Sequence, residues 1–197
     1  MKLTIIGDGS FGSFMKELLA PHFEICDNAD SVMLAVPISA YDEVASKHKG
    51  KHLINVCSVQ KPSTDICLKH SEFVTSLHPL FGRRTPANKR NTLFTHSCIK
   101  CNDTWHDDQR EVEFLKRFNN VSKVYNSYSP EEHDILMAKT HVAAVMGAQQ
   151  LKVFVDRVKD VPDEFIPNSF RLMREFVKTL EDMPQGTTDS IMANPFI

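Results

Sequence analysis

The sequence predicts an α/β protein: a doubly wound parallel sheet over residues 1–128, followed by an all-α C-terminal dimerisation domain over residues 129–197. Three observations predict it. Short β-branched apolar runs alternate with helical periodicity as far as residue 128. A glycine-rich turn joins the first strand to the first helix. At Ser129 the alternation stops and long helical patterns take over.

Composition narrows the class. The chain has 197 residues, 42% of them hydrophobic, which suits one full domain with a helical extension. A net charge of −2 gives no general pull toward nucleic acid. No apolar run is long enough to cross a bilayer, and no signal-peptide pattern precedes the first strand. Five cysteines, an odd number, fit reduced thiols and a cytoplasmic setting.

The first strand is KLTII, residues 2–6, and it runs straight into Gly7, Gly9 and Gly12. Residues 13–20 follow with Phe14, Leu18 and Leu19 at helical spacing. Strand, G-x-G-x-x-G and helix in that order form the Rossmann dinucleotide-binding fingerprint. Gly7 permits the tight turn, Gly9 lets a pyrophosphate approach the backbone, and Gly12 lets the helix pack on the strand. The expected phosphate cradle is therefore Gly7, Asp8, Gly9, Ser10, Phe11 and Gly12, with N–H groups of the helix start facing the ligand.

HFEICD, residues 22–27, alternates like a second strand. Asp27 stands about 20 residues after the first glycine, where the fingerprint places an acid that binds ribose hydroxyls. A carboxylate there repels a 2′-phosphate, which favours NAD over NADP; the alternative is a turn aspartate in Asp27-Asn28. The next strand, SVMLAVP over residues 31–37, follows after three residues. Its end, Val36 and Pro37, is expected to line the cofactor edge. Adjacent parallel strands need a crossover of about a dozen residues. So either the second strand is displaced or HFEIC is an edge segment in an unusual arrangement.

Residues 37–49 turn and form a helix with Tyr41, Val44 and Ala45 on one side. HLINVCSV (52–59) is a strand, 60–70 a helix, and 73–77 a strand that leads into His78-Pro79-Leu80-Phe81-Gly82. A basic loop (83–91), a strand (92–99), a helix (103–118) and a final short strand (121–125) complete the sheet. Ser129-Pro130-Glu131-Glu132 then combines an N-cap, a first-turn proline and a glutamate three residues on. The helix it opens runs about 25 residues without a breaker. Leu136, Met137, Val142, Val145, Met146, Leu151 and Phe154 make it apolar on more than one face. Helices over 165–183 and 187–194 follow. So few helices cannot bury that surface alone, which predicts a homodimer through this segment.

Two residues stand out for chemistry. His78 and Ser58 each follow a strand, and strand ends of a parallel sheet open on the carboxyl edge, where ligands bind. A serine hydroxyl there can bond one imidazole nitrogen and leave the other for substrate. The plain alternative is a strand-end histidine and a turn serine. His96, Cys98, Cys101 and His106 are residue types that suit zinc. His96 and Cys98 share parity on an expected strand, however, and no metal site is expected. His133-Asp134 opens the long helix near the expected cleft and reads as a structural or secondary pair rather than a catalytic dyad.

In GDGSFG, MLAVPI, CSVQK with Ser58, LHPLFG with His78, EEHDILMA, FRLMREFVKTL and DSIMANP, the chain resembles the prephenate/arogenate dehydrogenase family. These pieces lie in family order across nearly the whole chain, as a short form without a chorismate mutase or regulatory domain. The resemblance implies an NAD(P)-dependent oxidative decarboxylation of prephenate or arogenate in tyrosine biosynthesis, by a homodimer. It implies that His78 bonds the ring hydroxyl and takes its proton, with Ser58 fixing the imidazole. Two family positions differ: Val145 replaces a substrate-binding histidine, with His141 one turn earlier, and Thr179 replaces an arginine, with Lys178 beside it. Arg171 matches another family arginine. The expected substrate contacts are thus His78, His141, Arg171 and Lys178, with Arg83, Arg84 and Arg174 as further cations for substrate carboxylates. These differences keep two alternatives open: a related dehydrogenase acting on another small hydroxy acid, and a non-catalytic NAD-binding dimer.

Overall fold

The computed structural model describes residues 1–95, 109–126 and 129–197, in two units, Met1–Asp134 and Ile135–Ile197. The first unit carries strands β1 (Lys2–Ile6), β2 (Glu24–Ile25), β3 (Ser31–Leu34), β4 (His52–Asn55), β5 (Val74–Pro79), β6 (Asn91–Thr95) and β7 (Lys123–Asn126). Their order across the sheet is β2-β1-β3-β4-β5-β6-β7. Helices α1 (Ser10–Leu19), α2 (Tyr41–Lys47), α3 (Gln60–His70) and α4 (Gln109–Phe118) belong to the same unit. This is the expected Rossmann-type arrangement.

Strand periodicity builds a core on each face of the sheet. On β3, Met33 joins Leu3, Ile5, Phe14, Met15, Ile54, Leu77 and Phe114 on one face. Its neighbours Val32 and Leu34 join Tyr41, Ala45, Leu53 and Cys67 on the other. A fully buried Leu or Ile in such a core contributes about 1.5–3 kcal/mol.

The sheet is mostly parallel, with one antiparallel pairing. β1 to β5 run parallel, β6 runs antiparallel to β5, and β7 runs parallel to β6. Only residues 80–90 join β5 to β6, and their sole regular element is a short 3-10 turn at Ala87–Lys89. That length closes a reversal but not a helical crossover.

β2 explains the missing connection. It pairs only Glu24 and Ile25 with Lys2 and Leu3, at the start of β1. β3 pairs with the other side of β1, beginning at Thr4↔Val32. Because β2 never climbs the sheet, residues 26–30 need only pass across β1. The passage is pinned by the Ala29 N–H, which donates to Thr4 Oγ1 at 2.9 Å with both residues buried. Lys51 Nζ adds bonds to Asn28 Oδ1 (2.8 Å) and Ala29 O (2.9 Å). Replacing Thr4 with Val keeps the shape and orphans a buried N–H. Thr4→Val is expected to cost about 1–3 kcal/mol in urea unfolding; a loss below about 0.5 kcal/mol would show that the passage does not need this bond.

β4 stops at Asn55 instead of continuing to Val59, because Asn55 Oδ1 accepts the Cys57 N–H at 2.9 Å and turns the chain. Its Nδ2 donates to Ser63 Oγ (2.8 Å) and Thr64 Oγ1 (3.2 Å) of α3, and the Tyr41 hydroxyl lies 2.9 Å from Oδ1. Pro62 sits in the first turn of α3, where its missing N–H has no helical acceptor to lose.

Helix α5 (Pro130–Met137) begins in the first unit and ends in the second. Its start is the expected capping box: Glu132 N–H donates to Ser129 Oγ at 3.2 Å, and Ser129 N–H donates to Glu132 Oε2 at 3.0 Å. A π turn, Ala138–Val142, leads into α6 (Ala143–Asp156). The long helix of the sequence reading is therefore present but carries a π insertion, where Thr140 Oγ1 donates back to Leu136 O at 3.0 Å. In the second unit α7 (Asn168–Glu181) and α8 (Gln185–Met192) follow. Val142, Val145 and Ile191 form its small core with Leu180, Met183 and Met192.

Candidate active site

β1 ends against the glycine turn. Gly7 has φ +125°, and a Cβ there would lie 2.2 Å from Ala35 O and 3.4 Å from Val36 Cγ1. The turn is thus pressed onto the end of β3, and only glycine fits. A Cβ on Gly12 would lie 2.2 Å from Gly7 O, so α1 abuts the turn itself. A Cβ on Gly9 would meet nothing within 4 Å. The three glycines therefore divide into two that pack against backbone and one that faces open space. Helix α1 has no side-chain cap and no acidic residue in its first turn. The N–H groups of Ser10, Phe11 and Gly12 have no acceptor within the helix. Asp8 points away into an ion pair with Lys16 at 2.7 Å, which holds its carboxyl below the usual range. Uncapped N–H groups beneath open space form a cradle that fits a pyrophosphate.

β1 has β2 on one side and β3 on the other, so the winding reverses at the β1/β3 edge. Ligands of such sheets bind in the crevice at that reversal, and here Gly7 and Val36 meet in it. Pro37 follows as the residue before the short 3-10 turn Ile38–Ala40. Asp27 lies two residues past the end of β2. β2 ends opposite Leu3, so Asp27 leaves the sheet below the level at which β1 reaches Gly7. The strand pairing does not choose between a ribose-binding acid and a turn aspartate there.

His78 lies in β5, three strands from β1 along the same edge, roughly 14 Å at 4.8 Å per strand. The β4 pairing ends at Asn55↔Ser76, so Leu77, His78 and Pro79 run beyond it. His78 is only 2% exposed. Its Nδ1 lies 3.0 Å from Nε2 of His133, with the rings edge to face. His133 Nδ1 lies 2.8 Å from Asp134 Oδ1. The Asp134 carboxylate accepts the Gln60 N–H at 2.7 Å on Oδ1 and the Lys61 N–H at 2.8 Å on Oδ2, at the start of α3. Asp134 thus caps a helix 74 residues away in sequence, with its charge at the positive end of the helix dipole. Gln60 Nε2 donates to Leu77 O at 2.9 Å, fastening the same turn to β5.

This corrects the role expected of Ser58. Ser58 lies beyond the end of β4, in the turn before α3. Among the described residues its hydroxyl makes no hydrogen bond to His78, and the partner at Nδ1 is His133. The pair that the fold brings to the histidine is His133-Asp134, expected to be structural or secondary. One signal for it was present: two polar residues in the first turn of a capped helix, both of which prove fully buried. The thiol near this turn is not a nucleophile, since burial pushes Cys57 up to about 11.

The cations divide by unit. In the first, Arg83 makes two bonds to Glu17, at 2.7 and 3.0 Å, and Arg84 is exposed on the same loop. In the second, Arg171 donates to the carbonyls of Asp163 (2.6 Å) and Ile166 (3.2 Å), closing the turn before α7. Arg174 reaches Asp163 Oδ1 at 3.2 Å, and Lys178 is exposed on α7. His141 lies in the π turn, a rare helical form found often at functional sites. Val145, which stands at the family's histidine position, is buried in the core of the second unit. His96, Cys98, Cys101 and His106 lie outside the described residues. Among the described residues no cluster suited to a metal occurs.

Three solved structures share this fold over nearly the whole chain. Prephenate dehydrogenase from A. aeolicus, in complex with hydroxyphenyl propionate and NAD+, has 16% identity and a TM-score of 0.66, over 98% of this chain and 82% of that one. A putative prephenate dehydrogenase from Corynebacterium glutamicum has 14% identity and a TM-score of 0.71, over 99% and 75%. Synechocystis arogenate dehydrogenase has 14% identity and a TM-score of 0.60, over 98% and 84%. The chain shares its fold with prephenate and arogenate dehydrogenases. Neither a family model nor a curated protein matches the sequence. At such identities the likeness concerns architecture, and chemistry has to be argued from the residues.

Proposed function

We propose that this chain is an NAD(P)-dependent oxidoreductase that oxidises a small hydroxy acid, with prephenate or arogenate as the substrate. The observation that carries this reading is a buried histidine, His78, on the carboxyl edge that also bears the glycine cradle. The motifs shared with the prephenate/arogenate dehydrogenases and the common fold support the substrate class.

The residues fit the cofactor. Gly7, Gly9 and Gly12, with the first N–H groups of α1, would hold the pyrophosphate, and Val36 and Pro37 would line the crevice beside it. When bound, the nicotinamide supplies an acceptor for hydride. His78 then has one task, to bond the substrate hydroxyl and take its proton as the carbon is oxidised. A histidine suits that task because its proton affinity lies near neutrality. In a cyclohexadienol carrying a ring carboxylate, loss of carbon dioxide restores aromaticity. The protein then mainly has to position the ring and keep water away.

The second unit suits self-association. Phe165 is 72% exposed, Leu172 58% and Phe154 52%, and Val153, Met146 and Phe176 are also open. So many exposed large apolar side chains in one unit support self-association, and we assign them to contact with a second copy of the chain.

The test is reduced-nicotinamide absorbance with NAD or NADP and prephenate, arogenate or other small hydroxy acids. Turnover of prephenate or arogenate supports the whole reading. Turnover of another hydroxy acid alone keeps the reaction and replaces the substrate. Measurable dinucleotide binding with no turnover of any would leave a binding protein and end the enzyme assignment.

A further inference from the structure

We infer that Asp134 is a positioning residue that acts through His133 to hold His78 in the Nδ1–H tautomer, so that Nε2 carries the basic lone pair. This rests on the proposed function for the use of that lone pair, whereas the tautomer is argued from the contacts of Asp134, His133 and His78 with one another and with α3.

Asp134 is fully buried, and each of its oxygens accepts a backbone N–H from the first turn of α3. A backbone N–H can only donate, so the carboxylate acts here as an acceptor. The third group on it is His133 Nδ1, at 2.8 Å from Oδ1, and an acceptor facing that nitrogen requires the proton to be on it. In a neutral imidazole with Nδ1 protonated, Nε2 holds the lone pair. That lone pair faces His78 Nδ1 at 3.0 Å. The bond between the rings needs one proton, which therefore belongs to His78 Nδ1. Its Nε2 is left as acceptor, the form a general base needs. Free histidine in water favours the opposite tautomer, so the relay selects the less common one.

Sequence separates these groups widely: His78 and His133 are 55 residues apart, and Gln60 and Asp134 are 74. The same carboxylate also caps the helix that follows the Ser58 turn. One residue thus sets both the base and the first turn of the helix beside it. Among the described residues, His133 meets the titratable groups of His78 and Asp134, and the buried Cys57 thiol, whose proton burial retains, lies within electrostatic reach of Asp134.

Long-range ¹⁵N–¹H NMR of the histidine side chains, recorded near pH 8, above the usual histidine titration, reads the tautomers directly. The expected spectrum shows His78 with Nδ1–H and a bare Nε2, and His133 neutral with Nδ1–H. His133→Leu removes the acceptor. His78 should then revert to the Nε2–H form, and kcat/KM should fall about 10²- to 10⁴-fold, the range seen when a catalytic histidine takes the wrong tautomer. The KM for the dinucleotide should not move. His133→Gln offers an amide oxygen to His78 and should restore both the tautomer and most of the rate; a merely structural role predicts no such link. The inference is overturned if the unaltered protein shows His78 as Nε2–H or His133 doubly protonated, or if His133→Leu retains the Nδ1–H form. The unaltered spectrum decides the matter even if a variant fails to fold. The expected tautomers without turnover of any substrate would end the proposed function and leave this inference standing, whereas turnover with an Nε2–H His78 would do the reverse.

Discussion

Replacing His78 with Asn is expected to lower kcat by about 10²- to 10⁴-fold, the usual contribution of a positioned general base. Dinucleotide affinity should stay within about twofold, because the cradle lies three strands away along the edge. Asparagine is the informative substitution, since its amide can still donate to His133 Nε2 and leaves no buried acceptor orphaned. His78→Ala would confound lost chemistry with a cavity in β5. Steady-state kinetics and a separate dinucleotide titration check the result. A fall in kcat with an unchanged Kd places the residue in the chemistry. If His78→Asn retained kcat within about fivefold of the unaltered protein, His78 would not be the base.

The glycine turn should separate two effects that usually travel together. Gly12→Ala forces a Cβ to within 2.2 Å of Gly7 O, a backbone atom that cannot swing aside. It should destabilise the protein by about 1–3 kcal/mol, lowering Tm by several degrees for a chain of this size. Gly9→Ala places its Cβ where nothing lies within 4 Å. Its Tm should be unchanged, while dinucleotide affinity should fall at least tenfold, about 1.4 kcal/mol, because the added methyl occupies the space the pyrophosphate needs. Calorimetric unfolding and dinucleotide titration of both variants make the comparison. A Gly9→Ala protein that binds the dinucleotide normally would remove the phosphate from this turn, whatever Gly12→Ala does.

The glycine turn and the capping box were legible in the sequence because their constraints are local. Whether a Cβ fits at Gly7, or a glutamate reaches back to Ser129, is decided within a few residues. The positions of most elements were legible for the same reason, since apolar spacing reports which face of a strand or helix is buried. Even the anomaly after Asp27 could be noticed, because three residues cannot hold a crossover helix. Its resolution could not, because periodicity says nothing about how far up its neighbour a strand pairs.

The sequence by itself therefore determined the class of the fold and picked out the glycine turn and His78 as the candidates for phosphate binding and for the base. Tertiary structure alone decided that β6 runs antiparallel, that β2 stays at the foot of β1, and that His133 rather than Ser58 meets the imidazole. The reason is physical. Strand direction, pairing register and the partner of a buried side chain depend on groups far apart in the chain, whose meeting is set by the packing of the whole unit. The sequence pointed to Ser58 as the neighbour of His78 and set His133 aside, and only the contact between His133 of α5 and His78 of β5 shows otherwise.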